Sequence, residues 1–143
     1  LLGSASLSGE KATFTTSALS AKTKSVKATY VGDDTFSPSS GLVAQIVELY
    51  STTTTLVSSP NPSQSGHTVT FTATVQSSGP ETPTGKVTFR DGMTSIGTAT
   101  LSGGVGTFKK ANFAAGTHSI TATYDGDPMS AGSASAALSQ VVQ

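Results

Sequence analysis

The sequence predicts an all-β chain folded as an antiparallel two-sheet sandwich, on three observations: short runs alternate apolar and polar residues, Gly- and Pro-rich turns separate them, and the chain repeats itself. In Val69, Phe71, Ala73 and Val75 the odd positions are apolar while Thr70, Thr72 and Thr74 stand between them, the pattern of a strand with one face on a core. The stretch LLGSASLSGEKATFTTSALSAKTKSVKATYVGD returns as SIGTATLSGGVGTFKKANFAAGTHSITATYDGD, with Leu7 over Leu101, Phe14 over Phe108 and Tyr30 over Tyr124. The spacing is a constant 94 positions, too long for a solenoid repeat and suited to a small all-β domain of about 100 residues.

Taken in order, the complete copy reads as follows. A first strand covers Thr54 to Ser58, and the turn PNPSQSG at 60–66 leads into the strand from Val69 to Val75. The loop SSGPETPTG at 77–85 precedes the short run holding Val87 and Phe89, and Asp91-Gly92 turns the chain into Ile96 to Leu101. SGG at 102–104 leads to Val105 to Phe108, AAG at 114–116 to Ile120, Ala122 and Tyr124, and DGD at 125–127 to a last strand from Ala134 to Val142. That makes seven strands. No window of helical length keeps a 3.6-residue period, and the expected exceptions are single turns near Ser17 to Leu19 or Ala111 to Phe113.

The boundaries expected are a partial domain at 1–50, holding the C-terminal strands only, and a complete domain at 51–143. The partial copy should form four strands and expose Leu7, Phe14 and Val26 on an open face, with unpaired sheet edges that invite a partner. The candidates are neighbouring repeats, or copies of the same chain donating strands.

Composition narrows the function classes. Apolar residues are 35% and charged residues 11%, while Ser and Thr make up roughly a third of the chain, far above ordinary usage. Threonine suits a pleated, half-buried surface. Formal net charge is zero and Lys is scattered, so no basic stripe offers itself to phosphates and nucleic acid is excluded as an expected partner. With no Cys there are no disulfides, thiolate nucleophiles or Cys-ligated zinc. No apolar run is long enough for a membrane span in this stretch. The Ser/Thr-rich composition suits an exposed module, and the expected location is extracellular, at a cell surface.

The words TTTTLVSSPNPSQSGHTVTFTATV, TPTGKVTFRDG, IGTATLSGG, AAGTHSITATYDGD and SASAALSQVV resemble the bacterial Ig-like repeat of secreted and cell-surface proteins, over Ser51 to Val142. The C-terminal half of the same repeat covers Leu1 to Val47. The resemblance implies an Ig-like β-sandwich whose inter-sheet disulfide is replaced by apolar packing, with Phe71 or Ala73 and Ile120 as the candidates. It also implies a non-catalytic spacer or stalk module of an adhesin or fibre. The alternatives it leaves open are a carbohydrate- or calcium-binding accessory module of a secreted enzyme, and a phage or virion surface decoration.

Candidate chemistry is sparse. His67 and His118 have no spaced acidic partner in the sequence, and Lys24 stands at the first copy's position for His118, so a structural role is expected and catalysis is not. Asp33 with Asp34 and Asp125 with Asp127 are the clustered carboxylates. They are weak candidates for calcium at a junction, needing Glu48 or Glu81 to complete a shell, and Asp33 and Asp127 are more readily read as acceptors in tight turns. No GxSxG elbow occurs. No cofactor is expected.

The stretch IVELYSTTTTL joins the two copies without Gly or Pro, which predicts a stiff rather than flexible connection. Leu49, Tyr50, Lys22, Pro80 and Pro83 are the residues expected to pack there. The first copy replaces the Gly of AAGTHS with Lys22, and beyond the Gly-Asp pair the copies differ by one residue in length. That difference reads as divergence of loops, with no shared binding site in them. A surface glycan or protein receptor is the expected class of further partner.

Overall fold

A computed structural model describes residues 1–143 apart from the side chain of Lys22. The chain divides into two units, Leu1–Glu48 and Leu49–Gln143. Unit 1 holds β1 (Lys22–Tyr30) and β2 (Ser39–Val47). Unit 2 holds β3 (Thr52–Ser59), β4 (Val69–Ser77), β5 (Lys86–Asp91), β6 (Thr94–Thr100), β7 (Val105–Lys110), β8 (Gly116–Tyr124), β9 (Ser133–Ala134) and β10 (Leu138–Val142). No helix occurs among the described residues. At 111–113 the expected single turn is broken by Asn112, whose φ of 57° lies in the left-handed region.

In unit 2 one sheet runs β10-β8-β5-β6 with β9 beside β8, and the other runs β3-β4-β7. Every pairing between named strands is antiparallel. The period-two runs fold as the alternation requires: Val69, Phe71, Ala73, Val75, Val87, Phe89, Ile120, Ala122 and Tyr124 are all buried, while the threonines between them on β4 are half-buried. Phe71 lies edge-on to Phe113 at 5.8 Å, and Phe89 stacks on Phe108 at 5.4 Å. Phe71, Ala73 and Ile120 all lie in one apolar cluster, and no Cys is present to link the sheets. Cohesion there is dispersion and the removal of apolar surface from water.

Loops are locked by side chains that reach across the sequence. Buried Gln140 donates through Nε2 to the Pro60 carbonyl at 3.1 Å and lies 3.3 Å from Ser63 Oγ, and Asn61 Oδ1 accepts from the Val141 amide at 3.0 Å. The 60–63 turn thereby runs along β10 as an extra edge. At the opposite margin Thr52 Oγ1 donates to the Ala131 carbonyl at 2.7 Å, and its oxygen lies 2.7 Å from the Ser133 hydroxyl.

The seven expected strands are eight, because the last is interrupted. Thr123 faces Ala134 and Ile120 faces Leu138, so three steps along β8 meet four along its partner, a one-residue bulge. Within it the Ser135 hydroxyl accepts the Ala122 amide at 3.0 Å, taking a carbonyl's place in the ladder. In unit 1 the corresponding pairing is uninterrupted from Lys22–Val47 to Tyr30–Ser39. The one-residue difference between the copies is therefore this bulge and not loop divergence.

Unit 1 differs more sharply from expectation: it forms two strands, not four. The reason follows from the order of strands in unit 2. There β6 pairs only with β5, and β7 only with β4, and unit 1 has no counterpart of β4 or β5. The counterparts of β8 and β10 find each other and become the β1–β2 hairpin. The counterparts of β6 and β7 have no ladder to join, and what survives of them is their turn and the packing of Phe14 on Gly3. Ser8 donates to Lys11 at 2.9 Å as Ser102 does to Val105 at 2.9 Å.

Candidate functional site

The densest polar constellation in unit 2 is the turn after β8. Gly126 has φ +94°, and a Cβ on it would lie 2.7 Å from the Ser130 carbonyl, so only Gly fits. The next residue, Asp127, accepts at Oδ1 from the amides of Met129 (2.9 Å) and Ser130 (2.7 Å). At Oδ2 it accepts from the Thr84 amide (2.9 Å) and hydroxyl (3.1 Å). Burial opposes the charged form of Asp127, but these donors outweigh it and hold the carboxyl well below the usual carboxylate range. Tyr124, buried beneath, is pushed up to about 12 by burial first and by the Asp127 carboxylate second.

The same turn is built in unit 1. Gly32 has φ +86° with the Phe36 carbonyl 2.8 Å from a would-be Cβ, and Asp33 Oδ1 accepts from the amides of Thr35 and Phe36 at 2.8 Å each. One contact differs. Asp33 Oδ2 accepts from the Tyr30 hydroxyl at 2.7 Å, because no counterpart of Thr84 is present to take it. The Tyr30 bond and the two amides hold Asp33 below its ordinary value.

Both aspartates are thus engaged as turn acceptors. Asp34 and Asp125 are exposed, as are Glu48 and Glu81. Among the described residues no group of three or more His, Asp or Glu is gathered as a metal would need.

Of the two imidazoles, His67 is exposed, with Nδ1 at 3.4 Å from the Ser65 carbonyl. His118 corrects the sequence reading, for it does have an acidic partner: Nδ1 lies 2.6 Å from Asp91 Oδ2, and Nε2 lies 3.0 Å from the Ala114 carbonyl. A carbonyl and an ionised carboxylate only accept, so satisfying both requires the imidazolium. The Ala114 carbonyl first and Asp91 second raise its pKa above the ordinary imidazole value. Phe113 packs edge-on to the ring at 4.8 Å. The signal for this pair was register: β5 pairs β8 with Asp91 opposite Ile120, which leaves Asp91 diagonal to His118 on the same face.

Tyr50 belongs to unit 2. Its amide donates to the Met129 carbonyl at 2.9 Å, its carbonyl accepts from the Ala131 amide at 2.8 Å, and its ring fills the space a side chain on Gly79 would occupy, 2.4 Å from that Cβ position. Leu49 and Pro80 are exposed and Pro83 is buried. The backbone of Lys22 opens β1, while its side chain lies outside the described residues.

The family model for the bacterial Ig-like domain, group 3, matches residues 56–143. Among solved structures, the fibronectin(III)-like modules of CbhA from Clostridium thermocellum are similar over 63% of this chain and 94% of theirs, at 27% identity and a TM-score of 0.48. No match emerges among curated proteins. The match covers more than half of the chain and takes in the end of β3 and all of β4 to β10 of the unit 2 sandwich, so the chain belongs to the bacterial Ig-like domain family, group 3.

Proposed function

We propose that this chain is a non-catalytic structural spacer of a bacterial extracellular or cell-surface protein, the stalk of an adhesin or fibre. Domains of this family are commonly extracellular modules and are generally non-catalytic. The observation that carries the reading is the reuse of structure at a 94-residue interval. The Gly-Asp turn, the Ser8 and Ser102 turns and the packing of Phe14 on Gly3 and Phe108 on Gly97 all recur. What is repeated is architecture: the titratable residues that recur, Tyr30 with Tyr124 and Asp33 with Asp127, belong to the turn itself, while Lys24 stands for His118. A binding site reused in each copy would keep its chemistry and vary its scaffold.

The test is replacement. Exchanging unit 2 in its parent protein for an unrelated Ig-like sandwich of equal length should leave the parent's activity or adhesion unchanged. Loss of adhesion, or a rise in Tm beyond about 2 °C on adding calcium or oligosaccharides, would instead identify a ligand-binding module.

A further inference from the structure

We infer that unit 2 is a load-bearing module that resists tension along its strands, and that residues 61–65 are the clamp that sets how long it holds. The stalk reading supplies the source of the tension, and to that extent this rests on it. The clamp itself is a property of unit 2 alone.

The first and last residues of unit 2 lie at opposite ends of the sandwich. Tyr50 bridges Ser130, in the turn that follows the Tyr124 end of β8, while Val142 pairs with Gly116 at the start of the same strand. The nine residues of β8, at about 3.3 Å each, hold these ends roughly 26 Å apart. Both β3 and β10 run from the first end to the second. A pull on Leu49 and Gln143 therefore draws the two strands lengthwise, in opposite directions, past their neighbours. Ladder hydrogen bonds lie across the strands, so a strand drawn lengthwise loads all of its bonds together, whereas one peeled from its end gives them up in turn.

The two strands are unequally held. β3 has eight residue pairs with β4, while β10 has five with β8, so β10 is the one to slide first. It is β10 that carries a second ladder. Along its outer edge the Ser139 carbonyl accepts from Asn61 Nδ2 at 2.7 Å and the Val141 amide donates to Asn61 Oδ1 at 3.0 Å. The Val141 carbonyl then accepts from the Ser63 amide at 2.9 Å, the Gln143 amide donates to the Ser63 carbonyl at 2.9 Å, and the Gln143 carbonyl accepts from the Ser65 amide at 2.6 Å. The Asn61 side chain stands in for a peptide group at the head of this ladder. Ser63 bridges Val142 in the parallel sense, so these bonds too lie across the line of pull. Buried Gln140 pins the segment from the core side, through the Pro60 carbonyl and Ser63 Oγ.

The entering end has a smaller version. Tyr50 bridges Ser130 in the parallel sense through the Met129 carbonyl and the Ala131 amide, and Thr52 Oγ1 adds a bond to the Ala131 carbonyl. A cover against stray pairing needs only the free edge of β10. A second parallel bridge at the opposite end, where the chain enters, is what tension requires.

The chain has no Cys, so an introduced thiol gives a unique handle for force-clamp measurements on the full chain. Lengthwise tension is applied between handles ahead of Leu1 and after Gln143. Crosswise tension is applied between Met93→Cys, 93% exposed in the β5–β6 turn, and the same C-terminal handle. Gly92 in that turn donates to the Ser119 carbonyl, at the Gln143 end of the sandwich, so this pull peels β10 from its last residue. At one force, unit 2 should last at least about 100-fold longer lengthwise than crosswise. Asn61→Ala removes the bonds to Ser139 and Val141 and should shorten the lengthwise lifetime about 10- to 30-fold, but the crosswise one less than about threefold, since there the bonds of Gln143 break first. Equal lifetimes in the two directions would overturn the inference and leave 61–65 as an edge cover. An Asn61→Ala effect of equal size in both directions would overturn it too, as a loss of stability and not of a clamp. If Asn61→Ala does not fold, the two directions in the chain with Asn61 intact decide alone. Neither readout involves the parent's adhesion, so the clamp and the stalk reading fail separately.

Discussion

At Asp127 one carboxylate closes the turn after β8 and holds the entry to β5, using four donors. Asp127→Ala leaves those donors without their acceptor and should cost about 2–3 kcal/mol in urea unfolding of unit 2, whereas Thr84→Val, which keeps the amide bond, should cost about 1 kcal/mol. Because its folded pKa is depressed, the Asp127 contribution is present above the ordinary carboxylate value and is lost as pH falls through the depressed one. His118 has the opposite sign. Its raised pKa gives stability that is complete below about 6.5 and is lost as pH rises through the higher folded value. Denaturation midpoints between pH 6 and 9 should fall for the parent and stay flat for His118→Ala, in which the imidazole is gone. Neither pairing was legible locally, since Thr84 lies 43 residues from Asp127 and Asp91 lies 27 from His118. Only strand order brings them together.

Strands were the most legible elements, because a half-buried strand writes its burial into alternate residues, as Val69 to Val75 do. Phe71→Ala or Phe89→Ala should cost about 3–5 kcal/mol, both side chains being fully buried. Gly97 carries a different constraint. A Cβ there would lie 2.1 Å from the Phe108 ring, so Gly97→Val should displace that ring and cost about 1–3 kcal/mol by overpacking. This contact could have been read from the repeat, which pairs Gly3 with Gly97 and Phe14 with Phe108. The bulge could not, since a length difference in a Ser/Ala-rich stretch looks the same whether it falls in a loop or a strand. Its position makes a prediction: deleting Ala136 should recreate the uninterrupted pairing of β1 with β2, keep Val142 opposite Gly116, and lower Tm by no more than about 8 °C. Loss of β10 amide protection would contradict it.

Over the whole chain, the sequence carried the sandwich of unit 2 and the kinship of unit 1, but overstated what half a domain can form. Alternating residues at 1–16 are written for strands, yet a strand exists only where a neighbour accepts its hydrogen bonds. The counterparts of β6 and β7 lack β5 and β4, so their pattern goes unused. Amide hydrogen exchange on the full chain tests this most directly. The account predicts that Phe71, Phe89 and Ala122 exchange only through global unfolding of unit 2, while residues 2–7 and 11–16 exchange close to free-peptide rates. Protection across residues 1–16 equal to that of β8 would contradict it.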